Sequence, residues 1–322
     1  MGDHDLSNST QARVQYFCDH YEGISQYHLT GRKKTYIGSK GERRCRYCGK
    51  TKSNTSFRMV AHAFPRFIGN RTLLANDECD ECNKSFGTVL EDHFAKFLKP
   101  HLTAAQVAGK RGIPTVKSRS GKSRFEVKPP GPAITIHPDD PIVEMHDEKN
   151  EFTFRTFREA YVPMAVFKCL TKMAIAIIPE DLLHFFGCAA NWIRLNDHGA
   201  CPPPIQPLIC LETFTPGPRP YPGVHSLLLK RKHDRDLVPY MIFGVAVGNS
   251  MYQIIVPSPE KDWMLQGKEV AFVPLPEPFA ANHPYDASSY HPLDLSSAEI
   301  CRDELIRITF RYSSKRLREV IG

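Results

Sequence analysis

The chain has 322 residues, of which 41% are hydrophobic and 24% charged, and it carries a formal net charge of +7. It is too apolar for a disordered chain and long enough for two packed domains. The excess of cations points to an anionic partner, and the longest apolar runs, such as residues 173–178, fall far short of the ~20 residues of a membrane span.

In chain order, residues 1–12 are polar and expected to fray. No charged-then-apolar leader opens the chain, and Leu6 stands where a myristoylation signal needs Ser or Thr. Four of the ten cysteines are metal-spaced and the other six are scattered. A reducing cytoplasm is therefore expected. Residues 13–30 hold aromatics without a clean period, so 1–30 reads as an N-terminal extension. Cys18 and His20 within it read as an ordinary packed thiol and a surface imidazole.

Residues 31–58 are strongly basic, with Tyr36 and Tyr47 interleaved. Arg43, Arg44, Arg46 and Lys50 read as nucleic-acid contacts, and Arg66 and Arg71 extend the patch. Such charge dominates phosphate binding. No base-reading element accompanies it, so sequence specificity does not follow.

Two Cys-x-x-Cys pairs, Cys45/Cys48 and Cys79/Cys82, bracket a segment that carries His62, and Asn83 follows the last cysteine. Each pair lets two thiolates meet one ion at about 2.3 Å, and two pairs complete a tetrahedron. A disulfide across two residues would be strained. The spacing therefore predicts a structural Zn2+ that clamps the ends of an inserted hairpin. Residues 56–61 (SFRMVA) read as a strand. His62 follows, and Pro65 ends the ladder because it has no N–H to donate. Gly69-Asn70 is a turn signal, and residues 71–75 return as a second strand. Residues 77–81 supply acids for the start of a helix, which then runs through Asn83, Phe86, Leu90 and Phe94.

This order of parts resembles the HNH endonucleases, whose ββα-metal fold holds one divalent cation against a scissile phosphate. The matching residues are Ala61-His62-Ala63-Phe64-Pro65, Gly69-Asn70 and Cys79-Asp80-Glu81-Cys82-Asn83, within about residues 40–100. The resemblance looks closest to the branch in which Cys-x-x-Cys pairs flank the motif. It implies that His62 is the general base, suited by an ordinary pKa near 6.5. Asn83 would bind the metal or order its waters, and Asn76 or Asn70 would orient His62. A catalytic Mg2+ or Mn2+ would neutralise the departing oxygen. Many relatives carry a metal-binding Asp, Glu or His just before the base, where this chain has Ala61. Either His62 faces the ion itself or another acid serves. Glu91, eight residues after Asn83, can share its helix face, and Asp77 is the next candidate.

After this unit, set at residues 31–110, Lys99-Pro100 reads as a helix stop, and residues 103–124 read as a basic linker. Residues 111–322 read as a C-terminal α+β domain. Short strands fall at 124–127, 133–136, 142–145 and 152–155. A helical hairpin covers 157–178 and 180–195, on which Lys168 and Lys172 are expected to snorkel. Further strands fall at 208–214, 224–230, 240–247, 252–256, 268–273 and 305–312, with Gly248-Asn249-Ser250 as a hairpin turn. Residues 274–299 read as irregular.

The fold class expected is α+β: a zinc-stabilised ββα-metal domain followed by a mixed domain with a helical hairpin and antiparallel strands. The function expected from the resemblance is a metal-dependent endonuclease acting on DNA. Bacterial members of that family often serve in restriction or anti-phage defence. The C-terminal part would read a target, bind a partner protein or sense a regulatory ligand. The alternatives are a zinc-stabilised nucleic-acid-binding module without catalysis, favoured by Ala61, and an adaptor whose zinc ribbon is purely structural.

Overall fold

The computed structural model describes residues 10–128, 131–201, 203–276 and 287–313. The polar start expected to fray lies outside the described residues up to residue 9, as do Pro129 and Pro130. In chain order the elements begin with α1 (Thr10–His20), β1 (Tyr21–Leu29), β2 (Thr35–Ile37), β3 (Ala61–His62), β4 (Leu73–Ala75), α2 (Asp80–Phe86) and α3 (Asp92–Ala104). Then come β5 (Val116–Lys117), β6 (Arg124–Lys128), β7 (Gly131–Thr135), β8 (Val143–His146), β9 (Glu151–Phe157), α4 (Pro163–Ile177) and α5 (Gly187–Ile193). The chain closes with β10 (Ile209–Phe214), β11 (Tyr221–Arg231), β12 (Met241–Gly248), β13 (Ser250–Ile255), β14 (Ser289–Asp294) and β15 (Leu305–Arg311). The class is α+β, as expected.

An antiparallel sheet in the order β1-β11-β12-β13-β10-β14 backs the molecule. Side chains alternate between its faces, and the two faces feed two cores. Val224, Leu228, Phe243, Val245, Tyr252 and Ile254 face the main core, where Phe243 meets Phe64 and Tyr252 meets Phe94 and Phe97. Leu229, Ile242, Ala246 and Met251 face the other side, under Phe17 of α1. Central strand β12 is buried along its whole length because both of its faces are covered. The turn after it needs a left-handed residue, which Gly248 supplies at φ 66°.

The main core runs without a break from Cys45 through α3 and α4 to Leu295. The boundaries drawn at residues 30 and 110 therefore coincide with no gap in packing. Strand β1, placed in an extension, is the edge of the large sheet and pairs along β11. A smaller core of Val116, Phe125, Ile142 and Phe154 joins two further three-stranded sheets, β5-β6-β7 and β15-β9-β8. One small sheet was expected there, and from the basic "linker" Val116–Lys117 and Arg124 enter strands β5 and β6.

Several local expectations shift. Only Ala61–His62 of the first strand forms a ladder, because Asp80 pulls residues 56–59 aside. Asp80 accepts from the Ser56 hydroxyl (2.6 Å) and from the N–H groups of Arg58 (3.0 Å) and Met59 (2.8 Å). Pro100 does not stop its helix. It lies inside α3 and is buried beside Phe97, Leu98 and Leu102, so packing outweighs the ~3 kcal/mol cost of an interior proline. Residues 268–273 form no strand, and residues 289–294, read as irregular, pair with β10 as β14. Residues 180–195 are a 3₁₀ segment (Glu180–Phe186) followed by α5. Among the described residues no helix is long and apolar enough to cross a membrane.

Candidate active site

The four cysteines converge. Their sulfurs all lie within 4.8 Å of one another, and Cys48 Sγ is 3.7 Å from Cys79 Sγ. A tetrahedron with ~2.3 Å metal–sulfur bonds has edges of roughly 3.8 Å. Backbone N–H groups of Cys79 and Cys82 donate to the sulfurs of Cys45 and Cys79, each at 3.5 Å, which favours thiolate. The cluster fits a structural Zn2+. Cys79 is also the N-cap of α2, so one side chain serves both the cluster and the helix start.

Strands β3 and β4 hang from this cluster, with Ala61 opposite Ala75 and His62 opposite Leu74. The loop between them is fixed by Asn70, which is fully buried. Its amide donates to Phe64 O (2.7 Å) and Leu73 O (3.0 Å), and its oxygen accepts from the N–H groups of Thr72 (3.1 Å) and Leu73 (2.9 Å). Asn70, one of the two candidates for the middle asparagine, is thus a clip that sets the His62–Pro65 loop against β4. Asn76 instead turns its amide to Gly38 O at 3.0 Å and offers His62 no such support.

His62 is half-buried, and its Nδ1 is buried without a hydrogen-bond partner. Burial first, then the cations of Arg66, Lys172 and Lys34, push its pKa down to about 4. The imidazole is therefore neutral at pH 7, with a lone pair free to take a proton. A phosphodiester placed among those cations would offset their effect and raise its basicity.

Between Asn83 and Glu91 lies a feature the sequence did not disclose, and Glu91 is its last residue. Gly87–Glu91 is a turn of π-helix between α2 and α3. Such a turn takes about one residue more than an α turn, so two turns here span roughly eight residues. That spacing brings Asn83 and Glu91 onto one line of the helix face.

The residue that joins these parts comes from α4. Lys172 is fully buried, with Nζ 3.0 Å from His62 O, 3.4 Å from Glu91 Oε1 and 3.3 Å from Glu78 Oε2. Burial would lower its pKa, but Glu78 and Glu91 outweigh this and hold it above the ordinary lysine value. Glu78 is fully buried, and burial pushes its carboxyl up to about 7 against the pull of Lys172. Snorkelling was expected of Lys168 and Lys172, and neither does so. Lys168 donates to Leu195 O at 3.3 Å and sits 4.9 Å from the Trp192 ring. A signal for this was present: α4 is apolar on every side, such a helix is buried, and a lysine on a buried helix must find partners inside.

Other expected site residues are engaged elsewhere. Asp77, proposed as a metal ligand, holds Arg46 through Oδ2 at 2.6 and 2.9 Å. Arg46, proposed as a nucleic-acid contact, is only 3% exposed in its side chain. Its Nη1 donates to Ile175 O (2.6 Å) and Ala176 O (2.7 Å), capping the C-terminus of α4, where a cation is favoured. Tyr47 adds a bond from its hydroxyl to Lys172 O at 3.1 Å. Arg43 donates to Phe57 O, Arg44 donates to Gly49 O, and Lys50 pairs with Glu81. Arg66 and Arg71 are exposed, as a phosphate contact requires.

The titrating groups predict a pH response. His62 and His198 each titrate at about 4 in the fold, against an ordinary value near 6.5. The unfolded chain binds more protons between those values, so their contribution to stability falls on acidification from about 6.5 to 4. Glu78 acts in the opposite sense. Its raised carboxyl keeps a proton in the fold between about 4.5 and 7, so its contribution falls as pH rises through that window. Ring-proton NMR should place the His62 midpoint near 4 in the free protein. A midpoint near 6.5 would contradict this environment.

No curated protein and no solved structure matches the chain. Residues 45–99 match the family model described as HNH endonuclease, the stretch that holds the four cysteines, His62, Asn83 and Glu91. On that match, the N-terminal part of the chain carries an HNH endonuclease domain.

Proposed function

We propose that the protein is an endonuclease that hydrolyses phosphodiester bonds in DNA, with His62 as general base. The observation that carries this reading is the placement of His62: half-buried at the end of β3, on a strand held by the cysteine cluster, with the cations of Arg66 and Lys34 acting on its imidazole. The cations attract the phosphate, and the imidazole takes a proton from the attacking water. Asn83 and the Glu91 oxygen that Lys172 does not engage would supply a partial donor set for Mg2+ or Mn2+. Such ions commonly use one or two protein carboxylates and complete their shell with water and phosphate. When bound, the ion would draw charge from the phosphate and the leaving oxygen. Lys172 fixes the His62 backbone and Glu91 together, so the C-terminal part of the chain completes the site. DNA cleavage in restriction or anti-phage defence is the biological setting this activity would suit.

The second reading, a nucleic-acid-binding module without catalysis, draws support from Ala61 and from the hold of Lys172 on Glu91. Plasmid incubated with the zinc-loaded protein and Mg2+ or Mn2+ separates the two. Nicking by the wild type and not by His62→Ala is expected. Salt-dependent gel shifts with no cleavage in either metal would leave only the binding module.

A further inference from the structure

A cavity of about 200 Å³ opens beside the small sheet β2-β4-β3, lined by Tyr36, Lys40, Arg43, Phe57 and Arg58 among others. Tyr36 is 46% exposed, and Lys40 Nζ lies 4.7 Å from its ring centroid. The Arg43 guanidinium sits 5.9 Å from the Phe57 ring, and its Nε is buried without a partner. The rim is built rather than loose, because Asp80 holds residues 56–59 through the three bonds described above. Met59, 54% exposed, adds apolar surface. The one acid among the lining residues, Glu78, keeps its side chain wholly buried.

Register ties this cavity to the candidate active site. Tyr36 pairs with Leu74, and Leu74 pairs with His62. Residues in one cross-strand row share a face. The Tyr36 ring therefore stands on the His62 side of the sheet, two strand spacings or roughly 10 Å away.

We propose that this cavity receives one unpaired base of the DNA strand, stacked on Tyr36 and Phe57, with the neighbouring phosphates on Lys40 and Arg58. The inference rests on the nucleic-acid reading of the domain and adds a substrate class to it: DNA with an unstacked nucleotide near the scissile phosphate. Alternating aromatic faces and cations is the chemistry of single-strand binding. The volume equals that of about six or seven waters at ~30 Å³ each, room for a single flat ring system. A base within a duplex has no free face to present to it.

The test uses the full zinc-loaded chain without added Mg2+ or Mn2+. The probe is a short DNA single strand carrying 2-aminopurine, free or paired into a duplex. The single strand should bind more tightly than the duplex, with quenching of the probe by stacking. Tyr36→Ala should weaken single-strand binding roughly ten- to hundredfold and abolish quenching, with duplex binding and far-UV CD unchanged. Tyr36→Phe should behave as wild type. Equal affinity of wild type and Tyr36→Ala for the single strand, or no preference of wild type over duplex, would overturn the proposal. Quenching that depends on Tyr36, in a protein that never nicks plasmid, supports the pocket and removes the nuclease reading. Nicking without such quenching does the reverse.

Discussion

Lys172→Met is expected to lower stability by about 3 kcal/mol and plasmid nicking by about a hundredfold. The stability loss follows from removing the cation of a buried ion pair, which typically costs about 3–5 kcal/mol. The value falls at the low end because Glu78, already raised to about 7, can take up a proton and leave no buried charge. The activity loss follows from position. Without Lys172 the His62 carbonyl loses its donor and Glu91 loses its hold, and a displacement on the order of 1 Å can cost about a hundredfold. Combining Lys172→Met with Glu78→Met should recover most of the stability, since an apolar pair can replace a buried ion pair. It should not recover nicking. Denaturant melts of the single and double variants, with plasmid assays on both, check this. A single variant within ~0.5 kcal/mol of wild type would refute it.

Loss of the zinc cluster is expected to have the larger effect on folding. Structural zinc sites contribute roughly 10–16 kcal/mol of apparent binding free energy, while a domain is stable by only about 5–15 kcal/mol. Cys79→Ser also disturbs the N-cap of α2. Because Cys45, Cys79 and Cys82 belong to the same core as α4 and the large sheet, the damage should not stay in the N-terminal part. Far-UV CD should show loss of native signal across the chain, with one zinc per chain lost by elemental analysis. An unchanged melt in Cys79→Ser would mean that the cluster clamps nothing.

The site divides according to the range of the interactions that build it. The cysteine cluster was legible because two residues between thiols fix how both can meet one ion. His62 and Asn83 were singled out by their resemblance to the HNH motif and Glu91 by its helical distance from Asn83, although the π turn between them was not legible. The alternation in residues 305–312 gave away β15, and the Gly248-Asn249-Ser250 turn signal marked the end of β12. Strand β1 did not stand out, since it is an edge whose partner β11 lies about two hundred residues away.

Residue types, spacings and local periods by themselves determined the cysteine cluster and the α+β class. Only the tertiary structure decided what the charged residues do. Arg46 and Asp77 looked like surface contact and metal ligand, yet they pair beneath the end of α4. Lys172 looked like a snorkelling cation, yet it binds Glu78, Glu91 and the His62 carbonyl. The physical reason is that a charge inside the protein must be matched by partners from distant segments. Which segments supply them depends on how α4 packs against the cysteine-clamped unit, and spacing along the chain carries no record of that.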